Sequence, residues 1–186
     1  MIFEEPKFNP GGDRFIEMEL GDEMSFDLNF LVHSVSGLIR ESRTKGIIEI
    51  VPELTSIMIS YDFEQIGYGD VVQEMTALFH ALGPLDDLEL DSRMFYLPIH
   101  YFDEWTRGCY EDYCAKISEK EWDPQVLVRL NGLSGLDQLA QVHSGTDYWV
   151  AALGFYPGLV SLMPLDPRCR LTAPKYNPPR TWTHKG

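Results

Sequence analysis

The order of hydrophobic spacings in the N-terminal half restricts the fold of this chain more than any other feature. Apolar and charged residues alternate from Asp13 to Leu20, which predicts a strand with one buried face. From Ser25 to Glu41 the apolar residues recur at helical spacing, and Ser25 or Asp27 is suited to cap this helix. Gly46 is expected to stop the element before the next strand begins.

Two β-branched runs and a second apolar helix follow. Ile47–Val51 and Ser56–Tyr61 predict paired strands, because a Pro-Glu pair separates them. Val71–Leu82 predicts a helix that ends at the Gly-Pro pair directly after it. The resulting β-α-β-β-α order predicts an α+β domain over residues 1–84. It is a small α/β sandwich in which the helices cover one face of an antiparallel sheet.

The acidic segment at residues 85–93 is expected to be a solvated linker to a second domain over residues 94–186. Met94–His100 predicts a short strand, at an edge or a strand end, because Pro98 cannot donate to a ladder. After Met163 regular signals are few, which predicts strands and loops of an irregular sheet or barrel. The elements expected between them are a helical turn at Tyr110–Ile117, a helix at Gln125–Leu130 with Asp123 as cap and Pro124 first, a short helix at Ser134–Val142 and a strand at Tyr148–Leu153.

Charge and composition exclude several classes of partner. The formal net charge of −14 repels nucleic acid and phospholipid surfaces, so neither is an expected partner. This charge either keeps the chain dissolved or faces a basic partner subunit. The absence of a signal-peptide pattern and of a long apolar run, with an odd and sparse set of 3 cysteines, predicts a cytoplasmic protein. The cysteine and histidine spacings do not suit a structural metal, so no metal is expected.

Three motifs of complete enzymes are missing from the sequence. It contains no GxxxxGK[ST] loop for ATP, no Met-Lys-Met biotin-attachment site and no GxSxG nucleophile turn. If ATP and biotin are used, other domains or subunits supply them. The chain is therefore not expected to act alone.

The C-terminal segment carries the most specific resemblance to a known family. PLDPRCRLTAPKYNPPRTW, from Pro164 to Trp182, resembles the PLDPRHRL…KYNPARTW signature in the carboxyltransferase portion of urea carboxylases. Trp122–His143 resembles the helix-loop-helix of that portion, and Tyr96–Tyr101 resembles its opening strand. Trp105–Trp122 resembles an insertion that is typical of urea carboxylases.

The N-terminal half resembles the opening of a wider family. That family includes the B subunit of 5-oxoprolinase, the proteins called allophanate hydrolase subunit 1, and a sporulation-kinase inhibitor. Its pattern H…Y…GFxPGF is matched by His143, Tyr148 and the segment from Gly154 to Gly158, with Leu159 replacing the last Phe. Urea carboxylases tend to carry GDVYLG where this chain has GFYPGL, so the chain combines features of two branches.

The resemblance implies carboxyl transfer from carboxybiotin, carried on a partner domain, to a urea- or guanidine-like nitrogen, with ATP used only by a partner subunit. It implies a carboxyltransferase A/B-type partner, together with biotin carboxylase and biotin carrier subunits. It also implies a cyclophilin-like β-barrel over residues 94–186, incomplete because the family continues with further strands after the position of Gly186. The exposed edges of such a barrel are expected to be covered by a partner or a further segment. Two alternatives stay open: the B subunit of an ATP-dependent 5-oxoprolinase, which opens a cyclic amide, and a kinase-inhibitor-type binding protein.

The candidate site is the proline-bounded segment KYNPPR. Carboxyl transfer requires a cation or donor for the charge that develops on the ureido oxygen, and a base for the acceptor nitrogen. Lys175 suits either role, and the guanidinium fork of Arg180 suits a carboxylate. Tyr176 and Asn177 suit the amide-like face of the acceptor. The prolines are expected to hold these groups inward, toward a cleft shared with a neighbouring polypeptide, although such groups are also ordinary on a protein surface.

Two further sets of residues complete the prediction. His143 is a candidate for proton transfer near neutral pH, or a helix-end histidine bonded to a backbone carbonyl. The residues Gly154, Phe155, Pro157 and Gly158 are expected to form a tight turn that lines a ligand pocket or only packs. Arg168 and Arg170 follow Asp166 closely, which predicts a local ion pair.

Overall fold

A computed structural model describes residues 1–156, 158–180 and 182. The chain divides into two compact units. The first unit contains Met1–Arg93 and Val150–Ser161, and the second contains Met94–Trp149 and the described residues from Leu162 onward. A division into compact units does not show that either unit folds independently. The predicted domain boundaries therefore remain predictions.

The first unit is a four-stranded antiparallel sheet with two helices. The predicted β-α-β-β-α order is present, preceded by a further strand at its start. The strand order in the sheet is β1-β2-β4-β3, so β1 and β3 are its edges. The elements are β1 (Ile2–Pro10), β2 (Phe15–Gly21), α1 (Phe26–Ser42), β3 (Ile47–Pro52), β4 (Ser56–Tyr61) and α2 (Tyr68–Ala81).

Alternating burial in β2 and β4 builds the core of the first unit. The apolar side chains that point to one face of the sheet are fully buried and join those of α1 and α2 in one cluster. Each such side chain stabilises the fold by about 1.5–3 kcal/mol relative to exposure. As predicted, Ser25 caps α1, and its hydroxyl accepts a hydrogen bond of 3.2 Å from the backbone N–H of Leu28. The helix ends at Ser42, and its C-terminal cap, Arg43, lies in the left-handed region with φ 49°.

The second unit is mainly helical. Its helices are α3 (Glu104–Lys116), α4 (Asp123–Leu130) and α5 (Leu136–Ser144). Two paired strands follow α5, β5 (Tyr148–Leu153) and β6 (Val160–Pro164), and the division between the two units falls within both strands. The predicted strand at Tyr148–Leu153 is confirmed.

The cyclophilin-like β-barrel is not confirmed. In residues 94–156, 158–180 and 182, the structure contains one pair of strands and no closed barrel. Three helices take up most of the segment from 104 to 144, which leaves few residues for a barrel wall. The predicted strand at Met94–His100 is wrong, because this segment has no regular secondary structure and its apolar side chains are largely exposed. A strand requires a neighbour, and Pro98 removes one of the donors that would pair with it.

Several predicted helices have different bounds in the structure. Helix α2 is Tyr68–Ala81 where Val71–Leu82 was expected, and α5 is Leu136–Ser144 where Ser134–Val142 was expected. The helical turn expected at Tyr110–Ile117 is the longer helix α3, because Asp103 caps it and accepts from the backbone N–H of Thr106 at 2.9 Å. Helix α4 begins at Asp123, so Trp122 is its cap. None of the helices in the described part of the chain is both long and apolar enough to cross a membrane.

Candidate functional site

Tyr176 anchors the KYNPPR segment to the helical part of the second unit. The Tyr176 hydroxyl donates a hydrogen bond to the carboxylate of Asp123, which also binds the ammonium of Lys120. That ammonium lies 3.6 Å from the centroid of the Tyr176 ring, a cation–π contact. The ring of Tyr113, on α3, packs against Tyr176 with centroids 4.7 Å apart. The side chain is therefore held by an acceptor, a cation and an aromatic ring together.

The environment of Tyr176 keeps its hydroxyl protonated. Burial, and then the hydrogen bond to Asp123, raises the pKa of Tyr176 far above its ordinary value. The hydroxyl is thus a neutral donor already engaged with Asp123. A catalytic role for Tyr176, or a role in binding the acceptor, stays a prediction. Either role would require the hydroxyl to leave Asp123 and bind the ligand instead.

Helices α3 and α4 also contact the rest of the signature segment. The Tyr113 hydroxyl donates to the carbonyl of Pro178 at 2.6 Å, and the indole N–H of Trp182 donates to Asp112 at 2.6 Å. Upstream, the side chain of Asn131 exchanges two hydrogen bonds with the backbone of Thr172, at 2.7 and 3.0 Å. Sequence reasoning missed these supporting residues. The sequence assigns the insertion at Trp105–Trp122 and the signature at Pro164–Trp182 to one family, but their separation does not show that the two segments are in contact.

Lys175, Asn177 and Arg180 are exposed on the surface of the chain. Within this chain alone, the expectation that these three side chains face inward is wrong. Tyr176 is instead the side chain of the segment that packs against the helices. The guanidinium of Arg180 lies over the Tyr176 ring, 5.4 Å from its centroid. A cleft shared with another polypeptide stays a prediction.

His143 is bracketed by two tyrosines at the end of α5. The Tyr101 hydroxyl lies 2.7 Å from Nδ1 of the half-buried His143 ring. The Tyr148 hydroxyl donates to the backbone carbonyl of His143, also at 2.7 Å. Burial raises the pKa of Tyr148, which keeps it a donor. The ring nitrogen therefore binds a phenol and not the backbone carbonyl that the alternative interpretation required.

The GFYPGL turn closes on itself in the first unit. The N–H of Gly154 donates to the carbonyl of Leu159 at 2.8 Å, and a Cβ at Gly154 would lie 2.9 Å from the Leu159 side chain. Gly158 has φ 83°, a conformation that favours glycine. Phe155 is 97% exposed, so it packs against little within this chain. Pro157, also predicted in this set, lies outside the described residues.

Two other features are separate from these groups. Arg168 donates to Asp166 from Nε at 3.0 Å, which is the predicted local ion pair, and its hydrogen bonds lower the pKa of Asp166. An open cavity of about 330 Å³ lies beside the end of α1 and β3, with Arg40 and Arg43 in its lining. None of the predicted site residues lines this cavity.

Comparisons with known proteins match most of the chain. The family described as carboxyltransferase domain, subdomain C and D, matches residues 6–186. Urea amidolyase of Saccharomyces cerevisiae is 28% identical over 185 residues, which cover 96% of this chain and 10% of that protein. The B subunit of 5-oxoprolinase from Bacillus subtilis is 25% identical over 178 residues, which cover 91% of this chain and 66% of that protein.

A solved structure shows the same fold. The crystal structure of Kluyveromyces lactis urea carboxylase matches 100% of this chain and 18% of its own, with a TM-score of 0.88 and 22% sequence identity. The present chain therefore spans only a tenth to a fifth of the urea amidolyase and urea carboxylase chains that it resembles.

Proposed function

The chain belongs to the carboxyltransferase family of subdomains C and D, and from this membership we propose that it is one part of a biotin-dependent carboxyltransferase similar to urea carboxylase. In this proposal it helps to move a carboxyl group from carboxybiotin to a urea- or guanidine-like nitrogen, in the cytoplasm. The enzyme would be completed by a carboxyltransferase A/B-type partner and by biotin carboxylase and biotin carrier subunits or domains. These would supply biotin and ATP, for which this chain has no attachment or phosphate-binding motif.

The observation that carries the proposal is that Tyr176 holds the signature segment in place while two cations of the segment, Lys175 and Arg180, are exposed. Tyr176 is bound to Asp123, while Lys175 and Arg180 are exposed and the guanidinium of Arg180 lies over the Tyr176 ring. Such preorganisation lowers the entropy lost when a ligand binds. The two cations fit the chemistry of carboxybiotin, which supplies an activated carboxyl group when bound and leaves negative charge on its ureido oxygen. Lys175 and Arg180 would bind these oxygens, and Asn177 would bind the acceptor.

The exposure of these cations also supports the need for a partner. A cation 4 Å from an anion contributes about 1 kcal/mol in bulk water, and about 4 kcal/mol near a protein surface with an effective dielectric of 20. A neighbouring polypeptide that covers the segment would exclude water and strengthen the same contacts. We therefore place the reaction between this chain and an A/B-type partner.

The test uses the chain assembled with its A/B-type, biotin carboxylase and biotin carrier partners. ATP turnover is measured with urea, guanidine and 5-oxoproline, each with and without avidin. We expect urea or guanidine to stimulate turnover and avidin to abolish that stimulation. Lys175→Ala should abolish transfer while the complex stays assembled by size-exclusion chromatography. The matched control, Lys45→Ala, removes a lysine of the first unit, remote from the signature segment in sequence, and should leave transfer unchanged.

A second candidate is one component of an ATP-dependent 5-oxoprolinase. It is favoured by the GFYPGL turn and by the similarity to the B subunit of 5-oxoprolinase, of which this chain covers 66%. Stimulation of ATP turnover by 5-oxoproline alone, without any effect of avidin, would establish this candidate and exclude the carboxyltransferase proposal.

A further inference from the structure

The hydrogen bond between Tyr101 and His143 determines which nitrogen of the imidazole carries the proton. A neutral imidazole has one N–H donor and one acceptor nitrogen. The Tyr101 hydroxyl contacts Nδ1 at 2.7 Å and has no other hydrogen-bond partner in residues 1–156, 158–180 and 182. If Nδ1 carried the proton, the phenolic hydrogen would have no acceptor among these residues. The arrangement that uses both groups has the hydroxyl donating to Nδ1, which leaves the proton on Nε2.

The residue after Tyr101, Phe102, has a backbone conformation that is unfavourable for a bulky side chain. Phe102 has φ 57°, in the left-handed region, which is a true outlier for a bulky residue. Its ring is fixed against that of Trp122, with centroids 6.1 Å apart, and the next residue, Asp103, caps α3. Such strain persists only where the surroundings impose it, and it is common beside functional groups. Here the strained residue directly follows the one that contacts the histidine.

The second tyrosine restrains the histidine without contacting its ring nitrogens. Tyr148 donates to the His143 carbonyl, and its ring lies with its centroid 5.6 Å from that of the imidazole. Nε2 has no hydrogen-bond partner within the described residues. One nitrogen of the ring is therefore engaged and the other is left for a ligand.

From this geometry we infer that Tyr101 is a positioning residue that keeps neutral His143 protonated on Nε2, so that His143 offers a ligand a hydrogen-bond donor. The ligand atom that this donor fits is an oxygen acceptor, such as a carbonyl, a carboxylate or the ureido oxygen of biotin. In this state Nε2 cannot take a proton from an acceptor nitrogen. The identity of the ligand rests on the proposed function, whereas the tautomer does not.

The tautomer is measured directly by NMR on the ¹⁵N-labelled chain at a pH where His143 is neutral. Spectra that connect the ring nitrogens to the carbon-bound protons distinguish a protonated from an unprotonated nitrogen. His143→Asn identifies the relevant signals among the five histidines. The wild-type chain should show a protonated Nε2 and an unprotonated Nδ1. A protonated Nδ1, or an even mixture of tautomers, would overturn the inference without any variant.

The variants form a matched pair. Tyr101→Phe removes the hydroxyl that binds the ring, whereas Tyr148→Phe removes the one that binds the backbone carbonyl. A net hydrogen bond of about 1 kcal/mol corresponds to about a fivefold decrease in the ratio of the two tautomers in Tyr101→Phe. Tyr148→Phe should leave this ratio unchanged, and equal effects of both variants would refute a specific role of Tyr101. Because the readout needs neither substrate nor partner, a failure of carboxyl transfer would leave it intact and would count only against the proposed function.

Discussion

Tyr176→Phe tests whether the signature segment is held by the contact with Asp123. The substitution removes one hydroxyl and keeps the ring that packs between Tyr113 and the two cations. A hydrogen bond to a charged group contributes about 1.5–3 kcal/mol, and the half-buried position lowers this figure because water replaces part of the contact. We expect the free energy of unfolding of the chain to fall by about 1–2 kcal/mol.

The pH dependence of this effect follows from the raised pKa of Tyr176. The folded state holds the phenolic proton more tightly than the unfolded state does, so its contribution is fully present below pH ~10 and is lost as pH rises through the folded-state value. The slope is at most about 1.4 kcal/mol per pH unit, and solvent screening reduces it. Phenylalanine does not titrate, so the difference between the wild-type and variant chains should shrink above pH ~10.

Urea unfolding at pH 8 and pH 11, followed by tryptophan fluorescence, measures both effects. Tyr110→Phe is the matched control, because the Tyr110 hydroxyl donates to the neutral backbone carbonyl of Lys120 at 2.8 Å. Its loss should cost only about 0.5–1.5 kcal/mol. If Tyr176→Phe proves no more destabilising than this control, or if its effect grows at high pH, the anchoring role of the Asp123 contact is refuted.

Two further predictions concern the first unit. Asn29 is fully buried, and the two N–H groups of its amide are shared among the carbonyls of Glu53, Leu54 and Ala151, all within 3.3 Å of Nδ2. Asn29→Ala should therefore lower the free energy of unfolding by about 2–4 kcal/mol in urea titrations. A loss below about 1 kcal/mol would mean that water replaces the amide. Ser25→Ala should cost about 1 kcal/mol by the same measurement, since it removes the cap of α1, and Ser25→Asp should restore most of it.

The elements that the sequence predicts correctly are those whose signals are local. The cap of α1, the period of its apolar face and the alternation in β2 each depend on residues only a few positions apart. The strand expected at Met94–His100 failed because a strand also depends on a neighbour distant in the sequence. Strand β1 was missed since two prolines and a charged edge weaken its pattern, although it pairs with β2 over most of its length.

The candidate site illustrates the same limit at the level of side chains. Composition and proline spacing indicate that KYNPPR is stiff, but they do not show which of its polar groups the fold uses. Tyr176 binds Asp123 across 53 residues of sequence, and Tyr101 binds His143 across 42. In both contacts a tyrosine binds a group at a sequence separation that matches no helix or strand repeat. The engagement of Tyr176 could therefore not be predicted from the sequence, and the exposure of Lys175 was one of two interpretations that the sequence left open.

The signature segment is held in place by a neutral side chain, Tyr176, and this explains why its cations can stay exposed. A charged group buried by its own chain requires a permanent counter-ion, and Lys175 would then be neutralised before any ligand arrives. Tyr176 fixes the backbone through a neutral donor. In the described part of the chain neither Lys175 nor Arg180 forms an ion pair, and Arg180 instead lies over the neutral Tyr176 ring. In water these charges bind an anion weakly, and they gain strength only when another polypeptide excludes solvent. Under the proposed function, strong binding of a carboxylated ligand would therefore depend on assembly with another polypeptide.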